Sequence, residues 1–322
     1  MPESTHSLCT IMIPTFNQAS FLKKAIDSAL AQDYPDLEII VGNDCSTDAT
    51  IELLASYDDP RLKCITHPKN IGRVANYHDI LYNKASGKWV LNLDGDDFLL
   101  DSHYISAAVR AGESNDAILL VFADRYEMKD PIPEIPYTDN SRNAEVRYFD
   151  GLEYLLSWPR KGERIHHLTT LYLREKAIET GFYTENIISS DYESLFRLLP
   201  FGLIAYIPVK AAVWRHHESN ASVLKSSKSK IEDLLCFESI AEYVSGKAPA
   251  LRKKMMKWMI KNISNKYYGF LLNSFRNNNF SALHFIDKEI DEKYPALRFR
   301  LCINPLTWIK IVYHMIGNKT HK

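Results

Sequence analysis

The chain predicts an α/β protein: a mostly parallel sheet flanked by helices, followed by a C-terminal α-helical region. Three observations carry this expectation. Short apolar runs alternate with segments of helical spacing from Leu8 to Leu93. Strand signals vanish after about Ser222. Charge changes sign near the same point: residues 225–322 hold 18 Lys+Arg against 8 Asp+Glu, while residues 1–224 hold 21 against 32. Two units are therefore expected, 1–224 and 225–322.

The elements follow in order. Leu8 to Ile13 is a short apolar run, and Pro14 is expected to end it because proline cannot donate to a ladder. Ser20 to Leu30 places Phe21, Leu22, Ala25, Ile26, Ala29 and Leu30 at helical spacing. Leu37 to Val41 is a second strand, and Ser46, Thr47 and Asp48 offer caps for a helix around Ile51. Leu62 to Thr66 is a third strand, Val74 to Lys84 a third helix and Lys88 to Leu93 a fourth strand. Leu119 to Ala123, Thr169 to Leu173, Leu203 to Ile207 and Ala211 to Trp214 read as later strands, with a loop over Lys129 to Asn143. In the basic region Leu251, Met255, Met259, Ile263, Tyr267, Phe270 and Ser274 form one helical stripe, with Lys253, Lys254, Lys257 and Lys261 off it. Asn304-Pro305 suits the start of a last helix.

Composition excludes several classes. Apolar residues at 46% and charged residues at 25% rule out disordered, collagen-like and disulfide-scaffold chains. The net charge of −1 advertises no nucleic-acid partner. Five scattered cysteines without C-x-x-C spacing fit a reducing compartment. No signal peptide is expected, since no basic segment precedes a long apolar core. The longest uncharged apolar run, Ala117 to Ala123, is far short of the roughly 20 residues that span a bilayer. A glycine-rich dinucleotide loop, a P-loop, G-x-S-x-G and H-E-x-x-H are all missing.

Ligands of such sheets lie beyond the carboxyl ends of the strands. That rule selects Pro14-Thr15-Phe16-Asn17, Asn43-Asp44, Pro68 to Asn76, and Asp94-Gly95-Asp96-Asp97. The last segment places three carboxylates in four residues. They repel one another, and a hard divalent cation removes the repulsion. The competing reading is an acidic turn capping a following helix.

The run from Thr10 to Leu99 resembles a family 2 inverting glycosyltransferase with the glycosyltransferase A-type, Rossmann-like fold. The matching pieces are Ile13 to Asn17, Ala29 to Asp33, Glu38 to Val41, Asp44 with Ser46 to Asp48, Asn70-Ile71-Gly72 with Asn76, Ala85 to Lys88, and Asp94 to Asp97. A looser likeness runs to about Ser222, with bacterial polysaccharide and lipopolysaccharide enzymes as the type.

The resemblance implies a nucleotide-sugar-binding catalytic domain over 1–224. Pro14, Thr15, Phe16 and Asn17 would hold the nucleotide base, with Asp44 accepting the uracil N–H. Asn70, Gly72 and Asn76 would close over ribose and phosphate, and Arg73 would offset diphosphate charge. Asp94 would lie near the ribose, and Asp97 would support it. Asp96 and His217, the latter backed by Arg215, would hold Mn²⁺ or Mg²⁺. Asp191 of Ser190-Asp191-Tyr192-Glu193 would be the general base, with Glu193 as fallback. His166-His167 could reach the acceptor, although surface loop histidines are commoner.

The implied reaction moves a sugar from a UDP-sugar to a hydroxyl of a glycan or lipid-linked glycan, in the cytoplasm, for cell-envelope polysaccharide. The basic region and Trp308 to Tyr313 suggest peripheral contact with the inner face of the membrane. Packing of its stripe on the catalytic domain or on a twin chain, giving a homodimer, is the plainer alternative. Two other functions compete: a nucleotidyltransferase, which would want a glycine-rich loop where Pro14 to Gln18 stand, and a non-catalytic nucleotide-sugar scaffold.

Overall fold

In the computed structural model the described residues are 6–159, 162–218, 220 and 227–277, together with 288 and 292. Met1–Asn186 with Ser190–Asn220 form one compact unit, and Ile187–Ser189 with Ala221–Lys322 form a second.

The first unit is built on strand β1 (Cys9–Thr15). It pairs in parallel with β2 (Leu37–Asn43) on one side and with β4 (Trp89–Asn92) on the other. Strand β3 (Leu62–Thr66) adds in parallel to β2 and is the half-exposed edge. Every residue of β1, β2 and β4 is buried. Strands covered on both faces read as continuous apolar runs, which is why they were legible. Pro14 does not end β1. It lies opposite Gly42 and its carbonyl accepts from the Gly95 N–H at 3.2 Å. Pairing with β4 has stopped by then, at Met12–Asn92, so the missing donor faces no ladder.

Helices α1 (Ala19–Leu30), α2 (Thr50–Ala55) and α3 (Arg73–Asp79) connect these strands, and a π turn over Ile80–Lys84 continues α3. Asp48 caps more than its own helix. One carboxylate oxygen accepts from Thr50 N, and the other from Ala19 N at the start of α1. Glu38 of β2 is a second buried anchor. It accepts from the Thr10 hydroxyl at 2.6 Å, from Ser86 N at 2.6 Å and from Lys63 at 2.8 Å. Burial works to raise its pKa, but these bonds outweigh burial and bring it down to about 2. Glu38 therefore contributes stability that is complete above the ordinary carboxylate range and is lost as pH falls towards its folded value. Thermal unfolding should lose ground between about pH 4.5 and pH 2, and Glu38→Gln should flatten that loss. Identical pH profiles of the two proteins would remove Glu38 from the account.

The rest of the sheet is mixed. β8 (Thr170–Leu173) runs antiparallel to β4 and to β6 (Ile118–Lys129), and β6 runs parallel to β9 (Leu203–His216). The other edge of β9 takes β7 (Arg147–Asp150) and β5 (Phe98–Leu99), both antiparallel. The two strands expected over 203–207 and 211–214 are one. Opposite Ala123 and Asp124 of β6 stand Ile207 and Lys210, so Pro208 and Val209 are accommodated as a bulge. Helices α4 (Tyr104–Gly112), α5 (Gly151–Ser157), α6 (Arg174–Glu179) and α7 (Ser190–Leu198) complete the unit.

The second unit contains α8 (Ser227–Lys247) and α9 (Arg252–Asn277). Met255, Met259, Ile263 and Tyr267 of the expected stripe are buried, and Trp258 packs edge-on against Phe237 of α8. Lys253, Lys254, Lys257 and Lys261 are exposed. Asn304-Pro305 and Trp308 to Tyr313 lie outside the described residues. Among those described, no helix is long and apolar enough to cross a membrane.

Candidate active site

The four loops selected by strand polarity meet at the carboxyl ends of β1, β2 and β4. Phe16, just past β1, is 45% exposed, so its ring is available to a planar ligand. Asn17 adopts φ 52°, which asparagine tolerates. Its N–H donates to Ser46 Oγ at 2.9 Å and its side-chain oxygen accepts from Thr47 N at 2.8 Å. Asn17 thus locks the first loop to the second.

Asp44 is buried. Its two carboxylate oxygens accept from Ile71 N at 2.7 Å and Gly72 N at 2.9 Å, and Asn70 donates to its carbonyl. Asp44 therefore fastens the third loop to β2. Gly72 there has φ +90°, a conformation that side chains strain to adopt. Asn76, expected over ribose and phosphate, is spent inside. It is 1% exposed, donates to Gly42 O at 2.8 Å and meets His67 Nε2 at 3.1 Å.

The acidic turn is held from three sides. Asp94 accepts from Tyr77 Oη at 2.7 Å and Asn92 Nδ2 at 3.0 Å. Asp97 accepts from Arg215 N at 2.9 Å. No helix follows the turn, so helix capping does not explain it; β5 does. The Arg215 guanidinium donates to the Asp96 carbonyl at 3.0 Å and to Asp130 at 3.2 Å. It thus ties the turn to the segment that follows β6. Gly95 is needed for space: a Cβ there would lie 2.7 Å from Gln18 Oε1 and 2.9 Å from Thr15 Oγ1.

Asp96 Oδ2 stands 3.0 Å from His217 Nε2. The His217 ring stacks on Phe21 at 4.5 Å, and Asn220 bonds both the His217 N–H and Asp96. Burial, then the charge of Asp94, raises the pKa of Asp96; burial, then Asp96 and Asp94, raises that of Asp97 well above the usual range. The fold pays to crowd these carboxylates. An oxygen and a nitrogen donor facing each other in such a field fit a divalent ion that draws its remaining ligands from a diphosphate. No third His, Cys, Asp or Glu joins them among the described residues.

Asp191 lies in the first turn of α7, where a carboxylate is favoured. Burial lowers the pKa of Arg73, but the charges of Tyr77, Asp191 and Asp94 outweigh burial and raise it, so Arg73 stays cationic. Glu193 is fully buried and pairs with Arg197 at 2.5 Å, which withdraws it as a base. His167 is buried and His166 half-buried. Burial, then Arg125, brings His166 down to about 4, and burial also lowers His167. Phe21, Tyr77, Asn92 and Asn220 were not singled out by sequence. A polar residue interrupting the apolar Trp89 to Leu93 was the available signal for Asn92.

The sequence profile described as "Glycosyl transferase family 2" matches residues 10–179, more than half of the chain. Hyaluronan synthase of Pasteurella multocida is 27% identical over 229 residues, covering 68% of this chain and 21% of that protein. The chain thus spans about a fifth of the length of this relative. The fold of S. aureus TarS 1–349, solved in complex with UDP-GlcNAc, superposes with a TM-score of 0.64 at 16% identity, over 90% of this chain and 83% of that one. A mannosyltransferase, PcManGT from Pyrobaculum calidifontis in complex with GDP-Man and Mn²⁺, superposes with a TM-score of 0.50 at 14% identity, over 98% and 89%.

Proposed function

The chain belongs to glycosyl transferase family 2, and from that premise we propose that it moves a sugar from a UDP-sugar, with inversion, to a hydroxyl of a glycan or lipid-linked glycan. The observation that carries the reading is the acidic turn after β4, braced by Tyr77, Asn92 and Arg215, with Asp96 set against His217.

Phe16 would lie on the base, and Asp44 would order the loop of Asn70 to Arg73 around the ribose and diphosphate. Arg73 would balance part of the diphosphate charge. Asp96 and His217 would hold Mn²⁺ or Mg²⁺; when bound, the ion supplies Lewis-acid stabilisation of the leaving diphosphate. Asp191 would take the proton of the acceptor hydroxyl as its oxygen bonds the anomeric carbon and the bond to the diphosphate oxygen breaks. Attack opposite the leaving group inverts that carbon. A scaffold that only binds nucleotide-sugars has no use for Asp191 in this position.

The donor assignment is open to calorimetry with UDP, TDP and GDP in Mn²⁺. UDP should bind clearly more tightly than GDP, whose larger ring would have to fit beside Phe16. TDP should fall close to UDP, since one methyl is worth only about 1–3 kcal/mol. Asp44→Ala should weaken UDP by freeing the Ile71 and Gly72 amides. Tightest binding of GDP would overturn the uridine reading. The relative solved with GDP-Man makes that comparison necessary.

A further inference from the structure

Beneath the acidic turn runs a buried chain of polar side chains that the reaction outlined above does not use. The Asn92 amide donates to Asp94 at 3.0 Å and lies 3.3 Å from His167 Nδ1. His167 Nε2 lies 2.8 Å from Tyr183 Oη, which is 3.4 Å from Tyr172 Oη. The Tyr183 N–H donates to Ser194 Oγ at 2.9 Å. Ser194 sits on α7, the helix that carries Asp191. Asn92, Tyr172 and Ser194 are fully buried, Tyr183 is 3% exposed and His167 is 9% exposed.

The chemistry orients the chain. Asp94 is an acceptor, so Asn92 must turn its NH₂ towards it. The second amide hydrogen then meets His167 Nδ1, which must accept. A neutral imidazole that accepts at Nδ1 carries its proton at Nε2 and donates it to Tyr183. Burial, which lowers the His167 pKa, favours the same neutral ring. Tyr183 is also held at φ 58°, a left-handed conformation uncommon for an aromatic residue. It follows a turn closed by the Gly181 N–H to the Ile178 carbonyl and the Phe182 N–H to the Ala177 carbonyl, and its own N–H is the one held by Ser194. Apolar side chains would fill this space without buried polar groups to satisfy. Strain that is maintained beside a reactive group points to a positional task.

We propose that His167 and Tyr183 are positioning residues, which hold the Asp191 helix in register with the Asp94 turn. The two carboxylates are far apart in sequence, on elements that share no strand ladder. A general base must stand within hydrogen-bond reach of its proton, and an error of about 1 Å can cost about 10²-fold. The hydrogen-bonded path from Asp94 to Ser194 removes that error. This inference rests on Asp191 being the base.

The test compares wild type, Asp191→Asn, Tyr183→Phe, His167→Leu and His167→Gln. Tyr183→Phe removes one hydroxyl and keeps the packing, so it serves even if His167→Leu folds poorly. Turnover, UDP affinity by calorimetry and the pH dependence of kcat are read for each. Tyr183→Phe and His167→Leu should lose about 10- to 100-fold in kcat. Their UDP affinity should stay near wild type, and the acid limb of kcat should move as Asp191 changes its surroundings. His167→Gln restores a side-chain N–H donor and should recover most of the rate. Unchanged kcat in Tyr183→Phe and His167→Leu, with Asp191→Asn inactive, would overturn this inference alone. Rate losses that follow melting temperature, with the acid limb unmoved and no rescue by Gln, would also overturn it. Wild-type turnover in Asp191→Asn would bring down the assignment of the base, and this inference with it.

Discussion

Asp191→Asn is expected to bind UDP as wild type does and to transfer sugar about 10²–10⁴-fold more slowly, the range a general base supplies. The amide keeps the size and the place in the first turn of α7 but cannot take a proton. Glu193→Gln is the informative companion. Glu193 lies in the protein interior against Arg197, so its substitution should lower the melting temperature. The rate per folded molecule should persist. Full transfer by Asp191→Asn together with a dead but stable Glu193→Gln would exchange the two roles.

The second large effect concerns the ion. Asp96→Ala should cut donor turnover on the order of 10³-fold or more, and excess EDTA should do the same to wild type. The fold itself should survive. The pKa of Asp96 is raised by burial and by Asp94, so its ionised form is a strained element of the metal-free protein. Its removal should leave the melting temperature without metal unchanged or higher. Mn²⁺ should then raise the melting temperature of wild type and leave that of the variant in place, since only a state that binds the ion is stabilised by it. Full activity in EDTA would exclude a required metal.

The parallel half of the sheet and the loops at its ends were legible because burial on both faces writes each strand as an unbroken apolar run. Those strands then point to their own carboxyl ends, where Asp44 and Asp94 to Asp97 were found. The second half was harder. β5 has two residues and β7 four, too few for a period to show. The bulge at Pro208 and Val209 made one strand look like two. Within the site, residue types were visible but partners were not. Asn76 was expected over ribose and phosphate and Arg215 behind His217; Asn76 donates to the Gly42 carbonyl, and Arg215 to the Asp96 carbonyl and the Asp130 carboxylate. His167 was visible only as one of two adjacent loop histidines that could reach the acceptor. Its role depends on Asn92 and Tyr183, which arrive from other elements, and a loop histidine looks the same in sequence whether it is buried or not.

The bracing of the acidic turn by Arg215 has a bearing on protein engineering. One side chain reaches the Asp96 carbonyl and Asp130, while its own backbone N–H reaches Asp97. His217 follows two residues later. The turn and the end of β9 are therefore one mechanical part, made from two distant stretches of chain. A chimera that imports the turn from a relative, to change metal or donor preference, would carry it onto a brace cut for another loop. Exchange should succeed when Asp94 to Asp97, Asp130 and Arg215 to Asn220 travel together. For the same reason, an Arg215 variant that loses activity reports a displaced turn as well as any lost contact to phosphate.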